Sequence, residues 1–349
     1  MEAIISFFSV RPVFVAALLL FFPFAFLWNY LCRRKAVHLS PETARKQLGI
    51  GFTLTDYIKA FISWIFLFMP TYHVRPGLYY IGKKDADAPL LVTANNFLTV
   101  FLLARRIGKR NVRLLVIDTG GINVWCSAGK GRFSTGEIIN KARPFGLTKT
   151  EGKTVIILPK FSLAGVRIEE LRKNNFRPVI GPLYAKDIPA YLDKGKLDNR
   201  VDDVVHFGLK SRAFTALPTA IQFFYYFLAA YVVSLGYLPP SIIWMATALA
   251  FTYPLLFPFL PGKFFAVKGI SLAAAVSPIA ALLSYENPAS LLWQLVFIFA
   301  TSIFIGLSYT GNSAVSNYTS VRKETARFLP VVIILYILLI PIKIYMGGA

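Results

Sequence analysis

The sequence predicts two structural classes in one chain, an open α/β sheet domain and an all-α region that crosses a membrane. Three observations predict this. Hydrophobic residues make up 56% of the 349 and mean hydropathy is +0.56, too apolar for a soluble domain of ordinary composition. The most apolar segments are long uncharged runs towards the two ends of the chain, so most of the charge falls between them and in loops. There, short apolar runs alternate with amphipathic ones, the pattern of strands joined by helices.

The first element is the run Pro12–Cys32, which spans 21 residues without a charge and is followed at once by Arg33, Arg34 and Lys35. It is long enough to cross a bilayer and lacks the basic start and small-residue end of a cleaved leader, so it predicts an uncleaved anchor. The shorter run "AFISWIFLFM", 60–69, ends at Pro70. It is too short to span and is expected in the membrane interface or packed on the anchor.

Five strand-like runs follow, "LYYIG", "LLVTA", "RLLVI", "TVIIL" and "RPVIG". They alternate with "FLLARRIGK", "GEIINKARPFG", "GVRIEELRKN" and "AKDIPAYLDKG". The alternation predicts parallel strands with crossover helices in a Rossmann-like sheet, whose ligands sit outside the carboxyl ends of the strands.

After Arg212 come 50 uncharged residues, Ala213–Gly262, which Pro239-Pro240 divides into two spans. Three more are centred on "GISLAAAVSPIAALLSY", "LLWQLVFIFATSIFIGL" and "FLPVVIILYILLIPIKIYM". The expected organisation is an anchor over 1–36, a linker with an interfacial segment over 37–75, an α/β domain over 76–212, and about five transmembrane helices over 213–349. Positive charge lies in the α/β domain and in the loops at 261–263 and 320–327, whereas the loops near 237 and 287 have none. The positive-inside rule then places the α/β domain in the cytoplasm and the chain in the cytoplasmic (inner) membrane. The spans carry few polar groups, which argues against an ion pathway.

Composition also removes functions. The formal net charge of +21 comes without a nucleic-acid recognition motif, so nucleic acid is not expected, and membrane lipid is the simpler partner. Cys32 and Cys126 are the only cysteines, too few for an iron–sulfur cluster or a zinc knuckle. A phosphate loop fails because Lys130 is followed by Gly131 rather than Ser or Thr. A cysteine hydrolase needs a histidine partner, and His38, His73 and His206 lie before or after the sheet.

The remaining motif is "GINVWCSAGKG", 121–131. Asn123 is a strong N-cap type, "VWCSA" makes a turn and a half of helix, and Gly129 is expected just past its end. Cys126 would then lie in the first turn, where free amides and the helix dipole favour a thiolate, a soft ligand for a soft metal. The alternative is an inert buried thiol.

"NVWCSAGKG" resembles the cap-helix signature N(V/I)WCAAGK of the HgcA family, the membrane corrinoid proteins of microbial mercury methylation, themselves related to the corrinoid domain of the corrinoid iron–sulfur protein. "PGLYYIG", "APLLVTAN", "VIDTGGINVWCSAGKG", "GPLYAKDIPAYLDKG", "FLPGKFFAVKG" and "SYTGNSAVSNYTSVRKE" resemble family segments in family order, over about residues 76 to 325. The resemblance implies a corrinoid (cobalamin-type, cobalt) cofactor with Cys126 as catalytic residue and lower axial cobalt ligand. Asn123 and Gly129 would hold the helix and Trp125 would pack beside the ring. Val124, Ser127, Ala128 and Lys130 would complete the binding segment, with Thr93, Ala94 and Asn95 at the adjacent strand end.

The implied activity is that of a corrinoid-dependent methyltransferase, passing a methyl group from methyl-cobalt(III) to a thiophilic metal acceptor, Hg(II) first. It calls for a ferredoxin-like iron–sulfur protein as reductant and a methyl donor protein or methyl-tetrahydrofolate system. The sequence departs from the family at Ser127, where the family has Ala, in "TANNFLTV", and in "LPKFSLAGVRIEEL", which lacks the family's Gln and His. The alternatives are a diverged paralogue with another acceptor and a non-catalytic membrane binding module.

Overall fold

The computed structural model describes residues 47–48, 52–67, 72–149, 151–194, 205–235, 237–283, 288–313 and 315–348. The anchor expected at Pro12–Cys32 lies outside them. Two compact units meet in sequence at Val205 and His206.

The first unit is a sheet with helices on both faces. Its elements are β1 (Gln47–Leu48), α1 (Leu54–Ile65), β2 (Gly77–Ile81), β3 (Leu90–Ala94), α2 (Phe97–Ile107), β4 (Val112–Ile117), α3 (Val124–Gly129) and α4 (Thr135–Ala142). β5 (Thr154–Leu158), α5 (Ile168–Lys173), β6 (Phe176–Ile180) and α6 (Ile188–Lys194) complete it. All five expected strands form. The sheet order is β1-β2-β4-β3-β5-β6. Helices α2 and α6 cover one face through Val100, Leu103, Ile107, Ile188 and Leu192, while α3, α4 and α5 cover the other through Val124, Ala128, Ile138, Ile139 and Leu171.

The expectation of an all-parallel sheet is corrected at β2, which pairs antiparallel with β4, whereas β3, β4, β5 and β6 are mutually parallel. The reason is the connection: 82–89 has no helix and is shorter than the dozen or so residues that a parallel crossover needs. The chain passes from β3 to β4 on one side and then to β5 on the other, so the direction of winding switches between β3 and β5. Ligands of such sheets bind at that crevice.

The apolar segment expected at 60–69 begins earlier, as α1. Asp56 secures its start, accepting the Thr53 amide at 3.0 Å and hydroxyl at 2.7 Å. Its Ala60 packs with Leu98 and Phe101 of α2, so one side rests on the α/β unit itself.

Among the described residues the second unit is helical, with α7 (Leu209–Val233), α8 (Ser241–Leu256), α9 (Phe265–Leu283), α10 (Pro288–Tyr309) and α11 (Tyr318–Gly348). Four of these helices are long and apolar enough to cross a membrane, which makes this a multi-pass membrane protein. The fifth, α8, has 16 residues, about 24 Å of helix against a hydrocarbon core of about 30 Å. Its apolar run was legible, but the helix stops before the "PFLPG" segment. Helices α9 and α10 approach at glycines: a Cβ on Gly269 would stand 2.3 Å from the Ser302 carbonyl oxygen, and one on Gly306 2.4 Å from that of Phe265, the small-residue contact of membrane bundles.

The interior of this unit is more polar than the sequence reading allowed. Arg212, Thr219, Gln222, Thr301, Ser302 and Glu324 are all buried. Three are held by neighbouring segments: Arg212 donates to the Leu255 carbonyl, Thr219 accepts from Asn312 at 3.2 Å, and Glu324 accepts the Ala266 amide at 2.5 Å; the half-buried Thr215 pairs with the Tyr309 hydroxyl at 2.7 Å.

Candidate functional site

The site is built from the carboxyl ends of β3, β4 and β5. The register pairs Ala94 with Ile117, so Asn95 and Asp118 leave the sheet side by side. The buried Asn95 carboxamide then organises the loop after β4. Its Oδ1 accepts from the Thr119 amide at 3.0 Å, the Thr119 hydroxyl at 2.8 Å and the Gly121 amide at 2.9 Å, while its Nδ2 donates to Asp118 at 3.2 Å. Asn96 donates to the Gly121 carbonyl at 2.9 Å and caps α2 by accepting the Thr99 amide at 3.0 Å. The "TANN" segment thus holds the loop by both donors and acceptors.

Gly120 and Gly121 have φ of +67° and +75°, conformations open to glycine. Neighbours also exclude a side chain at either position: a Cβ would stand 2.2 Å from the Arg132 guanidinium at Gly120 and 1.9 Å from the His73 ring at Gly121. His73, dismissed from the sequence as lying ahead of the sheet, is brought to this loop by a bridge to Asn96.

The loop delivers α3. Asn123 caps it as expected, its side chain accepting the Cys126 amide at 2.9 Å. The C-terminal expectation is corrected. Gly129 is the last helical residue, and the left-handed residue is Gly131, at φ +70°. The Arg132 amide bonds the Ser127 carbonyl at 2.8 Å and the Gly131 amide that of Ala128 at 3.1 Å, the paired bonds of a Schellman stop. With two glycines two residues apart, propensity alone does not select the terminator.

Periodicity divides the helix. Val124, Ser127 and Ala128 are buried, Trp125 and Cys126 are half-buried, and Gly129 and Lys130 are exposed. The fully buried Ser127 hydroxyl donates to the Val124 carbonyl at 3.0 Å, so it faces the core. Thr93 and Ala94 are likewise buried in β3, beneath the loop. The open side therefore carries Cys126, Trp125, Gly129 and Lys130.

The loop after β5 supports this helix, so α3 is set beside the crevice between β3 and β5. The Phe161 ring lies 6.3 Å from that of Trp125. A Cβ on Gly165 would stand 2.2 Å from the Phe133 carbonyl oxygen and 3.0 Å from that of Ala128. Sequence reasoning missed Asn96, His73, Phe161, Gly165 and Glu137; the glycine of "LAGV" was the one available signal.

The electrostatics correct a further expectation. Burial pushes the Cys126 thiol up, and the Asn123 side chain and the Lys130 charge oppose this only in part. The first-turn position does not by itself make a thiolate, because desolvation outweighs the Asn123 hydrogen bond and the Lys130 charge. Glu137 accepts the Asp118 amide at 3.1 Å. Burial raises its carboxyl, while that hydrogen bond and Lys141 at 3.9 Å pull the other way.

Among the described residues, no three His, Cys, Asp or Glu side chains gather to hold a metal ion. One sulfur suits a metal whose other positions are filled by a macrocycle. A flat ligand also has access here, since nothing lies within 4 Å of where a Gly129 Cβ would stand. The residues present therefore fit a corrinoid, and Cys126 is the residue that would hold its metal.

No family profile matches the chain. It is 34% identical over 126 residues to the acetyl-CoA decarbonylase/synthase complex subunit gamma of Methanopyrus kandleri, a match covering 35% of this chain and 26% of the relative. The same subunit of Methanothermobacter thermautotrophicus is 30% identical over 124 residues, covering 35% and 27%, and that of Methanocaldococcus jannaschii 31% over 121 residues, covering 34% and 25%. The chain thus spans about a quarter of the length of these relatives. The homology is with subunit gamma, and it does not single out the mercury-methylation family.

Proposed function

We propose that this chain is a membrane-attached corrinoid protein that carries methyl groups, with Cys126 as the protein ligand to cobalt. The observation that carries the reading is the placement of one half-buried sulfur on the open side of a capped helix beside the switch point of an α/β sheet. The homology supports it chemically: a complex named for removing the carbonyl from acetyl-CoA is left with a methyl fragment to handle. A corrinoid, when bound, supplies cobalt that takes up and releases methyl groups.

The chain's own residues set the conditions. Asn95 and Asn96 fix the loop, Asn123 and the Schellman stop fix the helix, and the Trp125–Phe161 ring pair ties the helix to the loop after β5. Lys130 favours the anionic sulfur that a metal requires. Sulfur donates more charge to a metal than imidazole does, which suits methyl release as a carbanion equivalent to a soft acceptor. We infer a thiophilic metal substrate, Hg(II) in the first instance. A ferredoxin-like protein would deliver electrons to the basic unit, and the α/β unit would face the cytoplasm. The test is corrinoid loading of the purified full chain. One cobalt per chain supports the reading, and a protein that takes up none removes it.

A further inference from the structure

We infer that the outer face of α1, with the adjoining face of α2, docks on an anionic lipid surface. This rests on the chain being a multi-pass membrane protein and is independent of the corrinoid reading. Helix α1 is apolar on two sides. Ala60 lies against α2, whereas Leu54, Ile58 and Phe61 turn outward, exposed by 77%, 49% and 58%. Their spacing of four and three residues places them in one stripe along the helix. Such a stripe in water needs a partner of low polarity.

Charge identifies the partner. On α2, Leu102, Arg105 and Arg106 are exposed and recur at the spacing of one helix face, and Lys109 is exposed just past the helix end at Gly108. The Arg105 guanidinium lies 5.4 Å from the Tyr57 ring and 5.9 Å from the Phe101 ring, joining the basic face of α2 to the apolar stripe of α1. The one acidic residue of α1, Asp56, is engaged by Thr53. An apolar stripe flanked by arginines and a lysine matches acyl chains below and anionic headgroups above, and a chain held in the bilayer by its helices keeps that surface within reach.

The test uses the full chain in lipid nanodiscs, with Cys32 and Cys126 replaced by Ser and a fluorophore on Ile58→Cys or Phe61→Cys. Discs of phosphatidylcholine are compared with discs that also contain phosphatidylglycerol, each with and without nitroxide-bearing lipid. Both labels should be quenched by the nitroxide at least about twofold more in the anionic discs, and a label on Glu169→Cys should be unaffected. Arg105→Gln with Arg106→Gln should remove the preference for anionic lipid. A fluorophore that stays in water, or one that is shielded yet not quenched because a protein segment covers it, would overturn the proposal.

Discussion

Replacing Asn95 with Ala removes the acceptor that organises the loop ahead of the cap helix. The Thr119 and Gly121 amides lose their partner, whereas the Thr119 hydroxyl keeps the Ile122 carbonyl at 2.7 Å. Two buried amides without an acceptor cost about 1–3 kcal/mol each, so the loop should lose about 2–6 kcal/mol. That is a large share of a typical domain's stability of about 5–15 kcal/mol. Amide hydrogen exchange across 118–131 in the full chain reads it directly, because local opening free energies set the exchange rates. The Thr119 and Gly121 amides should exchange at least about thirtyfold faster, since each 1.4 kcal/mol is about a factor of ten. Asn95→Asp keeps the acceptor but sets a carboxylate against Asp118, and should fall between the two. Unchanged exchange at Thr119 and Gly121 in Asn95→Ala would refute the reasoning.

Three other outcomes are expected. Because burial raises the Glu137 carboxyl above its ordinary 4.5, the folded state holds that proton more tightly than the unfolded one. Glu137→Gln should therefore gain stability over wild type as pH rises above that value and match it below, whereas Glu137→Ala removes the hydrogen bond to the exposed Asp118 amide and loses about 0.5–1.5 kcal/mol; thermal melts across pH separate them. Gly165→Ala drives a Cβ into the Phe133 and Ala128 carbonyls and should cost about 1–3 kcal/mol, visible as a lowered melting midpoint. A topology reporter near Arg322 should read cytoplasmic and one after Ala349 external. That pattern requires the short α8 to cross, since otherwise Lys263 and the Arg322–Lys323 pair move to the external side against the positive-inside rule.

Period and chemistry made much of this legible. The five strands were bounded by their apolar runs, and Asn123 announced the start of α3 because an N-cap is a local event. What failed depended on tertiary context. The direction of β2 followed from a connection too short for a crossover, the choice of Gly131 over Gly129 from the route of the chain into Arg132 and Phe133, and the upward shift of the Cys126 thiol from packing that no sequence window contains. His73 and Phe161 reached the site from distant segments, and only the fold could bring them there. The buried Arg212 and Glu324 were visible as residues, but their partners at Leu255 and Ala266 were not.

The central claim is that the Cys126 sulfur binds cobalt, and the most direct measurement is the absorption spectrum of the corrinoid-loaded full chain, wild type against Cys126→Ala. The substitution keeps a helix-compatible side chain at a half-buried position, so the α/β unit should stay folded and corrinoid should still bind. The account predicts a changed visible spectrum and a loss of methyl transfer far larger than the loss of binding. Identical spectra would contradict it, leaving Cys126 as an inert thiol.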